Sequence, residues 1–363
     1  MNPPLFTPFA LRELTLPNRI VVSPMCQYAA DDGCANDWHL MHVGQFAMGA
    51  AGLVIIEATH VSPEGRISPR CLGLYDDASE QALKRVVDFC RRYGVAKLGI
   101  QLAHAGRKAS THPPGAGGKP LLPEEGAWTA LAPSAVPFAE GWHTPQALDT
   151  EGLARVKQQF AEAARRAARL GFDLAELHVG HGYLLHEFLS PISNRRDDAY
   201  GGSSENRMRF PLEVFEAVRA VWPKERPCGV RVSATDWVEG GWTPEETLAF
   251  AQALEARGCD FLDVTTGQLD PRQKIPFAPG YNVPFAEQVK KATRMPVMAV
   301  GMINSPQLAN DIVASGKADL IAIARGMMDD PRWAWHAARE LGAEPPPYAP
   351  QYNRCHPSVW KPA

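Results

Sequence analysis

The sequence predicts an α/β fold, and within that class a single-domain, closed (β/α)8 barrel. Three observations carry this. Eight short apolar runs alternate with amphipathic stretches along 363 residues, the pattern of parallel strands joined by helical crossovers. The chain is long enough for one barrel of eight units. A doubly wound sheet alternates in the same way, but it usually carries Gly-x-Gly-x-x-Gly after its first strand. Here Ser23-Pro24-Met25-Cys26 stands in that place.

The elements follow in order. Residues 19–23 (RIVVS) are β-branched and closed by Pro24, which makes them the first strand. No helix is assigned before the second strand, residues 53–57, which ends at Ala58-Thr59-His60. Residues 79–93 place Leu83, Val86, Val87 and Cys90 on one helical face, and Gly94 stops that helix. Residues 97–102 form the third strand. The next stretch, 110–147, is rich in Pro and Gly and carries Trp128 and Trp142. An irregular loop of that length marks a lid or an interaction surface. A helix opens at Asp149-Thr150-Glu151 and runs to Leu170, and the fourth strand spans 172–177. Helix 206–222, strand 229–233, helix 244–257 and strand 260–264 come next. Helix 283–293, strand 296–300, helix 305–314, strand 319–323 and helix 330–341 close the pattern. Residues 1–340 are thus expected to form the barrel, and 341–363 a C-terminal tail.

Composition excludes several classes. A hydrophobic share of 45% and a charged share of 21% are those of a folded chain. The net charge of −3 with scattered lysines and arginines argues against a nucleic-acid surface. No apolar run reaches membrane length, and the first residues do not read as a signal peptide. Seven cysteines without paired spacing fit a reducing compartment, so a cytoplasmic location is expected.

The chemistry concentrates after the fourth strand. His178 and His181 sit there with Gly180 and Gly182 beside them, followed by Tyr183. Glycines let the backbone turn tightly. Two neutral imidazoles can hold one oxygen atom from two directions, and a positioned phenol can deliver a proton. Zinc is the rival reading, but His-Glu-x-x-His spacing is absent and no Cys-x-x-Cys completes a set. Substrate binding is therefore expected and no metal.

In a barrel the C-terminal strand ends share one face. Here they hold Pro24 and Cys26, Ala58, Gln101, the two histidines, Arg231, Gly267, Gly301, and Ala324-Arg325. Few carboxylates appear among them, which argues against a glycosidase or a metal hydrolase. Small residues admit a flat ring, Arg231 answers an electron-rich edge, and Gln101 pairs as donor and acceptor. The late glycines and Arg325 suit a phosphate near the last two strands. Bound flavin mononucleotide (FMN) fits this set better than a free substrate does.

On these residues the sequence resembles the old yellow enzymes, flavin-dependent ene-reductases, in their bacterial branch. The resemblance runs from NRIVVSPMCQY through EATHVSPEGRI, IQLAHAGRKAS and ELHVGHGYLLHEFLSPISNRRDDAYGGSSENRMRF to ADLIAIARGMMDDPRW. It implies that Ser23, Pro24, Met25 and Cys26 lie against the flavin. Ala58, Gln101 and Arg231 would contact its ring and ribityl chain, and Gly301, Ala324 and Arg325 its phosphate. His178 and His181 would bind the substrate's carbonyl or nitro oxygen, Tyr183 would supply the proton, and Cys26 would tune the redox potential. Tyr28 and Lys108 would line the pocket, and Arg354 in the tail would enter a neighbouring subunit's site. The implied activity is reduction of α,β-unsaturated carbonyl or nitro compounds, electron-poor alkenes, at the expense of NADPH or NADH, by a homodimer or homotetramer.

Overall fold

Buried β-branched and aliphatic residues drive the chain into eight strands, each covered on both faces. The computed structural model describes residues 2–360. The strands are β1 (Ile20–Val22), β2 (Leu53–His60), β3 (Lys97–Ala103), β4 (Leu174–Val179), β5 (Cys228–Ser233), β6 (Leu262–Thr265), β7 (Val297–Ala299) and β8 (Leu320–Ile323). Each pairs in parallel with the next, and β8 closes on β1. Every residue of β2, β4 and β5 is buried, as parallel strands under a helical layer require. The (β/α)8 barrel expected from the alternation is the observed fold.

Among the described residues, eight helices of eight residues or more surround it: α1 (Asp37–Ala47), α2 (Asp77–Tyr93), α3 (Thr150–Leu170), α4 (Ser204–Val221), α5 (Pro244–Glu255), α6 (Val283–Ala292), α7 (Pro306–Ala314) and α8 (Trp333–Glu340); Leu184–Leu189 and Arg325–Asp329 are shorter helical turns. Side chains of Asp76, Asp149, Ser203, Thr243 and Ser305 accept backbone N–H groups at their starts. These caps satisfy donors that a helix cannot pair internally. Helix α1 was not expected. Its cap is Asn36 with His39 answering three residues on, outside the usual Ser/Thr-x-x-Glu signature.

Two further departures matter for the site. β2 continues to His60, and its register against β3 shifts between Ile56 and Ala58. Ala58, Gln101 and Arg231 therefore lie inside β2, β3 and β5 and not beyond their ends. At the opposite mouth, an antiparallel hairpin (Phe9–Leu11 with Leu14–Leu16) supplies Leu11, Leu14 and Leu16 to a cluster with Phe261, Met298 and Leu320. That end is apolar and packed, which leaves the C-terminal face for chemistry.

The stretch 110–147 is irregular, as expected, apart from short turns and a two-residue pairing of Leu131–Ala132 with Gln146–Ala147. Beyond α8 the chain folds back on itself. Tyr348 stacks on Trp335 at 4.1 Å, and the Arg332 guanidinium lies over both Trp335 and Tyr352.

Candidate active site

The turn after β4 is built by glycine. Gly182 has φ +70°, and a Cβ there would overlap the carbonyl oxygen of Gln268 in the loop after β6. No other residue fits without displacing that loop. His181 itself is left-handed, with φ +57°, a conformation that costs energy and persists only where neighbours enforce it. Ser233 Oγ, at the end of β5, accepts its N–H at 2.8 Å.

This backbone brings the expected groups together. His181 Nδ1 lies 3.2 Å from His178 Nε2, and its Nε2 lies 3.1 Å from Thr265 Oγ1. The Tyr183 ring meets the His178 ring edge-on at 5.1 Å. Burial, then the Arg231 charge, holds both imidazoles well below their ordinary pKa, so they are neutral at physiological pH. Burial pushes the Tyr183 phenol well up, with Cys26 and Tyr28 adding to it. Tyr183 therefore keeps its proton over the whole working range.

Arg231 is the pivot between three strands. It is in register with His178 on β4 and Asp263 on β6. Its Nη1 donates to Ser23 Oγ at 3.0 Å, and its Nε lies 3.2 Å from the buried Asp263 carboxylate. Gln101, opposite Ala58, donates from Nε2 to Glu176 Oε1 at 2.8 Å. Burial, then Asp263, raises the Glu176 carboxyl to about 8. The site is thus less poor in carboxylates than the strand ends suggest. Glu176 and Asp263 sit a residue or two inside, where they hold Gln101 and Arg231.

Cys26 and Tyr28 follow β1 and pack with Tyr183 against Ile67, Cys71, Ala105 and Ala109. The Cys26 thiol is pushed well up by burial and then by Glu57, so it is a weak donor and a poor nucleophile. Glu57, at the β2 irregularity, accepts the Gln27 N–H at 2.8 Å and so shapes the segment carrying Cys26. Lys108 is half-buried, with Nζ 5.1 Å from the Tyr183 ring centre and 4.9 Å from that of Phe138 in the irregular loop.

A cleft runs from His181 and Arg231 to Gly301, Ala324 and Arg325, floored by Val300 and Ala322. Gly301 has φ +125°, and a Cβ would press on Asn282 and on the Tyr281 ring. The Asn282 amide nitrogen has no partner among the described residues. A cleft lined by small residues, by two arginines and by a glycine where no side chain fits suits a flavin mononucleotide. Of the expected site residues, only His181, Arg231, Gly301, Ala324 and Arg325 line this cleft, and Arg354 lies well beyond all of them in the chain. It is exposed in the turn Pro350–Cys355 and does not line this cleft.

Thr265, Ser233, Glu176, Asp263 and Glu57 were not expected here. Acidic residues inside the apolar runs LAELHV and FLDV were their one legible signal, since a buried carboxylate must be partnered. The described residues hold no group of three or more potential ligands placed for a metal.

Comparison with known proteins gives a consistent result. The sequence pattern of the NADH:flavin oxidoreductase / NADH oxidase family matches residues 4–344. An NADPH dehydrogenase of Geobacillus thermodenitrificans is 43% identical over 346 residues, 95% of this chain and 96% of its own. The solved structure of morphinone reductase superposes with a TM-score of 0.79 at 30% identity, covering 97% of this chain and 93% of that one. A 2-naphthoyl-CoA reductase superposes with a TM-score of 0.84 at 25% identity, and this chain spans 53% of its length.

Proposed function

The chain belongs to the NADH:flavin oxidoreductase / NADH oxidase family, among the old yellow enzymes, and we propose that it reduces electron-poor alkenes conjugated to a carbonyl or nitro group. It is an oxidoreductase that uses FMN and takes NAD(P)H as substrate. Bound FMN supplies the hydride chemistry between the two substrates. The protein supplies position, polarisation and a proton.

The FMN ring would rest against Ser23, Pro24, Met25 and Cys26, with Ala58, Gln101 and Arg231 at its edge. Gly301, Ala324 and Arg325 would take its phosphate. His178 and His181, both neutral, would donate to the alkene's activating oxygen and draw electron density from the β-carbon. Tyr183, still protonated, would give its proton to the α-carbon. Tyr28 and Lys108 would bound the pocket. The observation that carries this reading is the convergence of two neutral imidazoles and one protonated phenol on a single turn.

Turnover of an enone in D2O with unlabelled NADPH tests it. The product should carry solvent deuterium at the α-carbon and none at the β-carbon. Solvent deuterium at the β-carbon, or NADPH oxidation without alkene reduction, would contradict the reading.

The barrel of 1–340 would work in a cytoplasmic homodimer or homotetramer whose tail, 341–363, brings Arg354 to a neighbour's site. The exposure of Arg354 supports its being free to do so. No described helix is long and apolar enough to cross a membrane.

A further inference from the structure

We infer that Lys108 and His186 are positioning residues that clamp a single peptide unit, the one joining His181 to Gly182, from its two ends. The inference rests on the reading that His181 and Tyr183 act on substrate.

The carbonyl oxygen of that unit accepts from Lys108 Nζ at 3.0 Å. Its N–H, belonging to Gly182, donates to His186 Nδ1 at 2.9 Å. The plane of the unit is thereby fixed, and with it the backbone angle after His181 and the angle before Gly182. Both residues are left-handed, at φ +57° and +70°, so the clamp holds a conformation that His181 would otherwise leave.

Each jaw is itself braced. His186 accepts at Nδ1, so its proton is on Nε2, which lies 3.0 Å from Asp236 Oδ1 at ion-pair distance but without hydrogen-bond alignment; both side chains are fully buried. Asp236 is in turn held by the Ser190 hydroxyl at 2.6 Å and the Trp242 N–H at 2.7 Å. Lys108 Nζ also donates to the Gln268 carbonyl at 3.0 Å, the oxygen against which Gly182 packs. Arg107 next to it donates to the Leu269 carbonyl at 2.8 Å. Consecutive cations after β3 thus tie the β6 loop to the β4 turn. The Lys108 ammonium takes two backbone carbonyls as its partners.

The test uses FMN-loaded protein and the variants Lys108→Met and His186→Phe, the second of which has no acceptor for the Gly182 N–H. Amide hydrogen exchange over residues 180–184 should rise by about 10-fold or more in Lys108→Met. KM for NADPH in the flavin-reduction half-reaction should rise by about 10-fold with a smaller change in kcat, while FMN affinity is retained. Exchange, NADPH KM and FMN affinity are all read without an alkene, so they stand apart from the fate of the ene-reductase reading. His186→Phe should give the same pattern, and the double variant should add less than the sum, since both jaws grip one peptide. Should His186→Phe fail to fold, Lys108→Met alone decides. Wild-type exchange over 180–184 in Lys108→Met, or raised exchange with an unchanged NADPH KM, would overturn the inference.

Discussion

Tyr183 holds its proton because it is buried, with Cys26 and Tyr28 adding to the effect, and this suits the proton-donor role we propose for it. A positioned general acid is worth about 10²- to 10⁴-fold. Tyr183→Phe should slow alkene reduction at saturating substrate by that factor while flavin reduction by NADPH continues nearly unchanged. Stopped-flow measurement of the two half-reactions separates them, and equal losses in both would remove Tyr183 from the proton-transfer role. At this scale the sequence was readable where residue type and local backbone coincide. His178, His181 and Tyr183 stand out because glycines flank them. Thr265, Ser233 and Glu57 do not, because each acts on a partner brought from another strand, and Thr265 and His181 are adjacent only after β4 and β6 have taken their places.

Among the elements, strands and most helices could be read from period, and five helix starts also from their side-chain caps. Helix α1 could not. Its stretch DWHLMHVGQFA carries three polar aromatics and Gly44, and the reason for that glycine lies outside the segment. A Cβ there would press on the Phe89 ring of α2. The irregularity in β2 was equally hidden, since a register shift depends on β3 and not on the β2 sequence. It matters for function because it exposes Glu57 to the segment after β1 while keeping Ala58 level with Gln101. The clamp on the 181–182 peptide belongs here too. It joins the loop after β3, the turn after β4 and the short helix Leu184–Leu189, none of which reveals it alone.

For the molecule as a whole, burial sets the response to pH. His42 and His104 are held to about 4 and His60 to about 3, chiefly by desolvation. The unfolded chain takes up these protons near pH 6.5, whereas the folded chain refuses them until about 4 or below. The unfolded state therefore binds more protons in that window, and this contribution to stability is lost as pH falls from about 6.5 to about 4. Glu176 and Glu187, raised to about 8 by burial, act with the opposite sign between their ordinary values and pH 8. His60→Asn, whose amide can still reach the Leu72 carbonyl that His60 now contacts, should reduce the acid-side slope by about one proton. Urea unfolding between pH 4 and 6.5 measures it, and an unchanged slope would show that His60 takes no part. The barrel's closure and strand order followed from the count and length of the repeats. The hairpin over the far mouth did not, because Phe9–Leu16 is too short to be told from a loop by alternation alone.

Flavin-dependent reduction of electron-poor alkenes is tested most directly by the visible absorption spectrum of the purified protein under anaerobic conditions. Flavin bands should bleach on addition of NADPH and return when cyclohexenone is added. A protein that binds no flavin even after incubation with FMN, or whose reduced flavin is not reoxidised by the enone, would contradict it.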